Sequence, residues 1–454
     1  MRIPKLFTLL SLLSLLLFYP LFFFKLGDSS LVSFDEAWYA AVARNIRIHK
    51  DPFNLYFNDG RFADHPPAGF WLISISQTIF GDNEFGSRAS SAILGLFTLA
   101  IVFILGSKVT SPIVGLVSAT ALASSPWFIF RARSGNLDVP LTFFFVLSFL
   151  LAILASENKR WLVPLGLSLS LLFLTKTMVP FMIIPAIFIV FLHSKTKLKD
   201  FFPALVIFLL PVLCWSVSQL LNYPGFIAKY LTIGIPKTEK QTSLWQNILL
   251  TKTYLHESIG NWFRPIVLFS LINFLIRSKE LIAILVFVAS FLLPFAFSSR
   301  GQIWHLLPVQ PFLLILMFSG LSWLLTRFFT RKLSSSLILV FTILTAFPQF
   351  SRNWTSFVDI PAYVSDEAIL SKTASTYPHP LYIDDRFLPA AVYYSGKIVN
   401  DTPTPEFSDY FGKDTPILLI THSWRLDSSN VTKSQYQIIK ADRDKLLLLI
   451  SPET

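Results

Sequence analysis

The run LFTLLSLLSLLLFYPLFFF, residues 6–24, decides how the rest of this chain is interpreted. It follows Arg2 and Lys5 and is close to the roughly 20 apolar residues that a helix needs to cross a bilayer. A cleavable signal peptide would continue into small residues. Here the run ends in Tyr19, Pro20 and three phenylalanines. We therefore expect an uncleaved first membrane span.

The composition of the whole chain agrees with a membrane protein. Of 454 residues, 53% are apolar and 14% are charged, and the mean hydropathy is +0.58. Soluble domains average about 25% charged residues. The net charge of +11 would suggest a nucleic-acid partner in a soluble chain. Most of the excess lies in short loops between apolar runs, which predicts cytoplasmic loops and no nucleic acid.

Apolar stretches of helical length predict about eleven transmembrane helices. Several contain proline, which membrane helices tolerate when neighbouring groups satisfy the freed carbonyls. The predicted spans are residues 6–26, 89–107, 112–130, 139–156, 161–175, 178–193, 201–221, 262–276, 281–298, 304–325 and 334–350.

The loop charges predict the orientation. If the N-terminus is cytoplasmic, every even-numbered loop is short and basic, as the positive-inside rule requires. The long loops 27–88 and 222–261 and the C-terminal tail then lie outside. The chain is therefore expected in the cytoplasmic membrane, with its chemistry on the outer face. The basic residues of the short loops are Lys108, Lys159, Arg160, Lys195, Lys197, Lys199, Arg277, Lys279, Arg327, Arg331 and Lys332.

Residues 351–454 change character, because short apolar strands alternate there with polar, turn-rich stretches. The predicted fold is an all-α polytopic membrane domain over residues 1–350, in which loop 27–88 carries outer-face amphipathic helices. A small C-terminal α/β extracytoplasmic domain follows over residues 351–454. Cys214 is the only cysteine, which excludes a disulfide within the chain. The predicted strands are Leu381 to Ile383, Ile417 to Thr421 and Lys445 to Ile450.

The first outer loop holds the polar residues with the strongest functional signal. Asp35 and Glu36 precede a helix-like segment, residues 37–44. An acidic pair at a helix start is also an ordinary cap, and the spacing alone does not separate these readings. Farther along, Pro66 and Pro67 fix an extended entry to the next helix and hold His65 near the membrane surface. A lone interfacial histidine is more often a satisfied side chain than a ligand.

The order of motifs along the chain resembles the membrane-embedded glycosyltransferases of the GT-C class. The nearest types are the lipid A aminoarabinose transferases and the bacterial protein O-mannosyltransferase-like (dolichyl-phosphate-mannose-protein mannosyltransferase-like) enzymes. No single motif is decisive, but all of them fall in order on the predicted outer face, as far as about residue 325. The matching segments are DEAWY at 35–39, DHPP at 64–67, FGDNEFGSR at 80–88, RARSGNLDVPL at 131–141, FLTK at 173–176 and SRGQIWHLLPVQP at 299–311.

The resemblance implies transfer of a sugar from a polyprenyl-phosphate donor to a lipid, glycan or protein acceptor. Such a displacement at the anomeric carbon needs a base for the acceptor and positive groups for the leaving phosphate. The resemblance makes Asp35 the base, with Glu36 in support and Asp138 positioning the acceptor or Asp35. The candidate phosphate contacts are His65, Lys176, Arg300 and His305, with Arg131 and Arg133 as weaker ones.

A metal ion is a further option that the resemblance leaves open. Carboxylates together with phosphate oxygens suit Mg²⁺ or Mn²⁺, so Asp35, Glu36, Asp64 and His65 could hold a divalent metal. The chain also departs from the aminoarabinose transferases. Trp38 stands where that branch usually has Arg, His65 where it has Lys, and Thr177 where it has Gly. These changes leave the identity of the sugar open.

The alternative function is a polytopic transporter or flippase of lipid-linked sugars. Such proteins show internal repeats and broken spans with polar groups at midplane. We find no repeat in the sequence, and the ionisable residues cluster at one predicted face. We also expect residues 351–454 to influence acceptor choice without supplying the base, because their predicted strands carry no acid–base cluster.

The predicted orientation can be tested by cysteine accessibility after Cys214 is replaced. Ser428→Cys should react with a membrane-impermeant reagent in intact cells, because the C-terminal region is expected outside. Ser336→Cys, beside a cytoplasmic loop, is the matched control and should react only after permeabilisation. Labelling of Ser428→Cys only in permeabilised cells would reverse the orientation.

Overall fold

The computed structural model describes residues 13–192, 194–232, 243–297, 301–384, 387–401 and 407–451, which form two compact units. The first unit contains residues 1–26, 63–69 and 88–360 and holds the long apolar helices. The second contains residues 27–62, 70–87 and 361–454.

The α-helices of the first unit cover most of its described length. Short 3₁₀ turns join several of them, among them Val179–Ile183, Gly260–Trp262 and Ile303–Val309. The helices are Tyr19–Phe23, Glu84–Val109, Pro112–Ser124, Pro126–Ala132, Asp138–Glu157, Leu162–Phe173, Ile184–Phe191, Phe202–Asn222, Phe226–Thr232, Leu244–Ile259, Phe263–Phe269, Asn273–Ile276, Lys279–Phe297, Gln310–Phe328 and Arg331–Asn353.

Within the described residues, seven helices are long and apolar enough to cross a membrane. The pair Pro112–Ser124 and Pro126–Ala132, bent by 71°, would be an eighth. Three shorter apolar helices, Leu13–Phe23, Ala68–Phe80 and Val179–Phe191, fall below that length. Each predicted span coincides with helical structure in its described part, so the chain is a multi-pass membrane protein. The count of about eleven stays a prediction.

The membrane helices differ in how much of their surface is buried by other helices; we call the most buried one, Asp138–Glu157, the central helix. Asp138–Glu157 is mostly buried by other helices, whereas most of Leu198–Asn222 is exposed. The exposed residues of the second helix are apolar, for example Leu205, Leu210 and Leu213. Apolar side chains on that surface suit contact with lipid, in which exposure carries no hydrophobic cost. The central helix therefore begins, at Asp138, inside the protein.

The second unit contains a two-stranded hairpin and a five-stranded mixed sheet. Strands β1 (Leu55–Phe57) and β2 (Gly60–Phe62) pair antiparallel. The larger sheet has the order β4-β3-β5-β7-β6, in which β3 is parallel to β4 and β5, and β7 is antiparallel to β5 and β6. Its strands are β3 (Leu381–Ile383), β4 (Val399–Asn400), β5 (Ile417–His422), β6 (Tyr436–Asp442) and β7 (Lys445–Ile450).

The strands β3, β5 and β7 therefore lie where the alternating pattern predicts them. Helices pack against the sheet. The helix Asp366–Ala374 is capped at its N-terminus by Ser365, whose hydroxyl accepts a hydrogen bond from the amide of Ala368 at 3.2 Å. The other helical segments of this unit are Asp35–His49, Ala68–Phe80, which begins in the first unit, Asp366–Ala374, Leu388–Ser395, Phe407–Tyr410 and Ser423–Asp427.

The helix Asp35–His49 shares one hydrophobic core with the C-terminal sheet. Its alanines Ala37, Ala40 and Ala41 are buried in the same cluster as Leu381, Leu418 and other sheet residues. Small side chains on one helix face allow a close approach to the sheet, and burial of the combined apolar surface stabilises both. The compact units therefore do not follow the predicted division at residue 350, because much of loop 27–88 packs with residues 361–454.

Polar contacts anchor the same helix at both ends. Near its start, the hydroxyl of Tyr394 accepts a hydrogen bond from the Leu31 amide at 2.6 Å. Near its end, Arg44 donates to the Tyr393 carbonyl at 2.6 Å and forms an ion pair with Asp82 at 2.6 Å. Burial raises the pKa of Tyr393 to about 12. These contacts fix the orientation of the helix within the second unit, and with it the position of the first helical residues.

The first turn of the helix Glu84–Val109 has no room for a side chain at Gly86. A methyl group at Gly86 would collide with the carbonyl oxygen of Gly81 in the preceding turn. Gly86→Ala should therefore destabilise the protein by ~1–3 kcal/mol, the usual scale of overpacking. Gly412→Ala, where the added methyl group would meet nothing within 4 Å, is the matched control. Equal thermal unfolding temperatures for the two variants would contradict the close approach.

Candidate active site

A buried carboxylate, Asp138, lies between two cations in the first unit. Its two oxygens contact the Arg131 guanidinium at 2.6 Å and the Lys176 amino group at 2.8 Å. The side chain of Asp138 is 4% exposed, and those of Arg131 and Lys176 are 8% and 13% exposed. A charge buried this deeply requires a partner. We call Arg131, Asp138 and Lys176 the ion triad.

Local sequence explains how the ion triad is assembled. Asn136 accepts hydrogen bonds from the amides of Asp138 and Val139 at 2.9 and 3.1 Å, which starts the helix at Asp138. The Asn136 side chain also donates to the Arg131 carbonyl at 2.5 Å, and this bond closes the loop between the two charges. Lys176 follows the end of the helix Leu162–Phe173. Asparagine two residues before an acidic helix start is a pattern that sequence reasoning could have used.

His65 is held beside the ion triad by its own loop. The Ala68 amide donates to the Leu174 carbonyl at 2.8 Å, which fastens the loop to the segment that carries Lys176. The imidazole is partly exposed, but its Nδ1 atom is buried. Burial lowers the pKa of His65 from 6.5 to about 4, the charge of Lys176 also lowers it, and the carboxylates of Asp64 and Asp138 act in the opposite direction. His65 is therefore neutral at physiological pH.

His305 reaches the same group of residues from another helix. The side chains whose charges act on it are Lys176, Asp138, Arg131 and His65. Its neighbour Trp304 lies under the Arg131 guanidinium, 5.6 Å from ring centroid to Cζ. A cation over an indole face is an additional favourable contact. The structure thus brings four predicted site residues together, namely His65, Asp138, Lys176 and His305, along with the weaker candidate Arg131.

Asp35 and Glu36 lie at the start of the helix Asp35–His49 in the second unit. The N-cap position belongs to Phe34, so Asp35 is the first helical residue and does not cap this helix. Glu36 is buried and accepts a hydrogen bond from the Val32 amide at 3.0 Å. Glu36 therefore has a defined structural contact at the helix start, whereas Asp35 lies in the first turn, where a carboxylate also interacts favourably with the helix dipole.

Arg133 and Arg300 differ from the other predicted phosphate contacts. Arg133 donates to the carbonyls of Phe357, Leu21 and Phe24 at 2.9, 3.1 and 2.8 Å, so its guanidinium ties chain segments together. Its role in phosphate binding stays a prediction. Arg300 lies outside the described residues.

The predicted metal ligands do not form a metal centre in the described parts of the chain. No group of three or more His, Cys, Asp or Glu residues there could hold a metal ion. Asp64 instead forms an ion pair with Lys229 at 2.7 Å. Sequence reasoning missed this pair, because Lys229 lies in a distant long loop and no spacing rule connects the two. We assign no chemistry to a metal.

The cluster is suited to an anion. The Nδ1 atom of His305 accepts a hydrogen bond from the Gln302 amide at 3.3 Å and therefore carries no proton. With Asp138 ionised and both histidines neutral, the ion triad retains one net positive charge. That charge lies in a largely dehydrated setting, where electrostatic attraction is stronger than in water. Neutral imidazoles add hydrogen-bonding groups without extra charge. A phosphate group is the ligand that this arrangement fits best.

The pKa of His65 predicts a pH-dependent stability. The unfolded chain takes up a proton on His65 near pH 6.5, while the folded chain resists protonation down to about pH 4. The stability contribution is therefore complete above pH 6.5 and is lost as pH falls from about 6.5 to about 4. His65→Gln should flatten the fall of the unfolding temperature in this window, because glutamine takes up no proton. Parallel curves for wild type and His65→Gln would contradict the buried, neutral imidazole.

Comparisons with known proteins agree with the fold and the motifs. Residues 64–218 match the family described as dolichyl-phosphate-mannose-protein mannosyltransferase. The undecaprenyl phosphate-alpha-4-amino-4-deoxy-L-arabinose arabinosyl transferase of Pseudomonas savastanoi pv. phaseolicola is 28% identical over 213 residues. That match covers 44% of this chain and 40% of the relative. The chain thus spans less than half the length of the first curated relatives that it matches.

Solved structures extend the similarity of the fold to nearly the whole chain. Apo ArnT from Cupriavidus metallidurans superposes with a TM-score of 0.75 and 14% identity, over 97% of both chains. The same protein bound to undecaprenyl phosphate gives a TM-score of 0.73 at 14% identity, again over 97% of both chains. Together with the sequence matches, these findings make the multi-pass chain similar to the aminoarabinose transferases and protein O-mannosyltransferases of the GT-C class, with a fold like that of ArnT.

Proposed function

We propose that this protein is a glycosyltransferase that moves a sugar from a polyprenyl-phosphate donor to an acceptor on the outer face of the cytoplasmic membrane. The observation that carries the proposal is the ion triad. It keeps a net positive charge in a buried setting, next to two neutral histidines, in a chain of the GT-C type. A departing lipid phosphate needs a site of this kind.

The donor is inferred from the comparison with ArnT, which has been solved with undecaprenyl phosphate. A polyprenyl tail lies in the bilayer, so an enzyme that uses it must present its phosphate site to the membrane surface. The exposed apolar helices of the first unit satisfy that requirement. The ion triad would contact the donor phosphate and does not specify the identity of the sugar or of the acceptor. The acceptor classes consistent with the proposal are a lipid, a glycan and a protein.

The proposed reaction is a displacement at the anomeric carbon. The acceptor hydroxyl forms the new glycosidic bond as the bond from the anomeric carbon to the phosphate oxygen breaks. The electron pair of the broken bond stays on the polyprenyl phosphate, which Arg131 and Lys176 stabilise. The proton of the acceptor hydroxyl passes to the Asp35 carboxylate. Glu36 holds the start of the helix through its bond to the Val32 amide.

Asp138 acts in this scheme as a positioning residue. Both of its oxygens are engaged by Arg131 and Lys176, so it orients the two cations and lowers their mutual repulsion. The sequence predicts that Asp138 positions the acceptor or Asp35; we propose instead that it positions the two cations of the phosphate site. Arg300 would add a further positive group from the segment before His305.

Asp35→Asn tests the base directly. Asparagine keeps the size of the side chain but cannot accept the proton, so transfer should fall about a hundredfold to ten-thousandfold. Donor binding and thermal stability should stay near those of wild type. Asp28→Asn, an exposed residue of the same loop, makes the same chemical change and should transfer normally. The measurement is transfer from a radiolabelled polyprenyl-phosphate sugar by purified variants.

The same assay separates an enzyme from a flippase. Only a transferase releases free polyprenyl phosphate in step with the glycosylated product, whereas a flippase moves the donor intact. Near wild-type transfer by Asp35→Asn would move the search for the base to Glu36. Donor movement without phosphate release would overturn the proposed function.

A further inference from the structure

A polar cavity lies in the first unit, and its lining shares no residue with the ion triad. Its volume is about 770 Å³, and it is bounded by the helix pair that breaks at Gly260 and by the end of the helix Arg331–Asn353. Its polar lining includes His256, Glu257, Asn261, Arg264, Gln349 and Arg352. None of these residues takes part in the proposed transfer reaction.

The floor of this cavity is built from buried, fully engaged amides. Gln349 is 1% exposed and donates to the carbonyls of Ser124 and Ile259 at 2.7 and 3.1 Å. Its amide oxygen accepts from the Asn261 amide at 2.6 Å. Asn353 is 2% exposed and also donates to the Ser124 carbonyl, at 2.7 Å. These four hydrogen bonds keep the floor of the cavity rigid. The charged residues at its edge, Glu257, Arg264 and Arg352, which we call the rim, are therefore held at defined positions.

The rim carries an excess of positive charge. Arg352 donates to the Asn261 side chain at 2.7 Å, and a guanidinium has further N–H groups to offer. In the described part of the chain, Arg264 and Glu257 make no ion pair, although both line the cavity. Two guanidinium groups and one carboxylate leave a net charge of one positive unit. A single negative charge, such as that of a phosphodiester, would balance it.

The position of the rim points to a lipid as the source of that charge. The sequence predicts spans at 262–276 and 334–350, so Arg264 and Arg352 both lie at the ends expected on the outer side. The bond between Arg352 and Asn261 holds these two ends at the same level. Arginines at span ends lie at the depth of lipid headgroups.

A strip of exposed apolar side chains continues from Arg264 toward the bilayer. Val267, Leu268 and Leu271 follow Arg264 at spacings of three, four and seven residues, which places them on the same helix face. They are 54%, 68% and 64% exposed. An acyl chain could lie along this strip while its headgroup reaches the rim.

We infer that this cavity binds the phosphate group of a membrane lipid through Arg264 and Arg352. The inference does not depend on the identity of the transferred sugar or on Asp35. A site of this kind would hold a lipid of the outer leaflet in one place on the protein, separately from the donor.

The test uses the full-length protein in detergent and short-chain dioctanoyl phosphatidylglycerol, with binding followed by native mass spectrometry. Arg264→Gln should weaken the affinity about tenfold or more, as expected when a charged hydrogen bond is lost. Glu257→Gln should strengthen it, because it removes the only carboxylate among the lining residues. Arg331→Gln, at the opposite end of the helix that carries Arg352, is the matched control and should bind as wild type. Lipid bound at the ion triad would be present in both the wild type and Arg264→Gln, so it does not contribute to the difference in affinity between them.

Two further probes identify what is recognised. Dioctanoylglycerol, which lacks the phosphate, should not compete, and equal competition by it would overturn the inference. Inorganic phosphate that competes in the wild type but not in Arg264→Gln would support recognition of phosphate by this rim. Equal affinities for Arg264→Gln and Arg331→Gln would show attraction to surface charge alone and would overturn the site. Because transfer is not measured, failure here leaves the proposed function standing.

Discussion

The buried contact of Asp138 with Arg131 and Lys176 is the constraint around which the membrane unit is arranged. Removing three charges from water costs several kcal/mol for each ion unless close partners offset it. The chain meets this cost with two short ion pairs and with an asparagine that sets the start of the central helix. The chain segments that carry the three residues must then meet at one point. The same constraint leaves one uncompensated positive charge, which is the property that a leaving phosphate requires.

The two histidines near the ion triad extend this arrangement without adding charge. A protonated imidazole beside Lys176 would be repelled, and burial opposes protonation as well. His65 consequently offers neutral hydrogen-bonding groups in a place where another cation would be unstable. The departure from the lysine usual in aminoarabinose transferases therefore changes the charge at this position. It keeps a polar side chain while lowering the positive charge beside the ion triad.

The second unit shows how a loop in a membrane protein can be given a fixed shape. The helix that carries Asp35 buries alanines against the C-terminal sheet, and Tyr393 and Tyr394 hold its ends by hydrogen bonds. Without this core the helix would be a short amphipathic segment of marginal stability. Residues 361–454 are therefore needed for the position of Asp35. An influence of this region on acceptor choice would act in addition to that structural role.

The sequence by itself determined the class of the protein, since long apolar runs and short basic loops leave few alternatives to a polytopic membrane chain. It also determined strands β3, β5 and β7, whose apolar residues are continuous and local. The motif residues His65, Asp138, Lys176 and His305 are also identifiable from the sequence. Only the tertiary structure decided that Arg131 and Lys176 share one carboxylate, that Arg133 ties backbone carbonyls, and that Asp64 pairs with Lys229. The same holds for the common core of the first loop and the C-terminal sheet. The physical reason is that periodicity and spacing describe neighbours within about one helical turn, whereas these contacts join residues that are far apart in the chain and are selected by burial and charge.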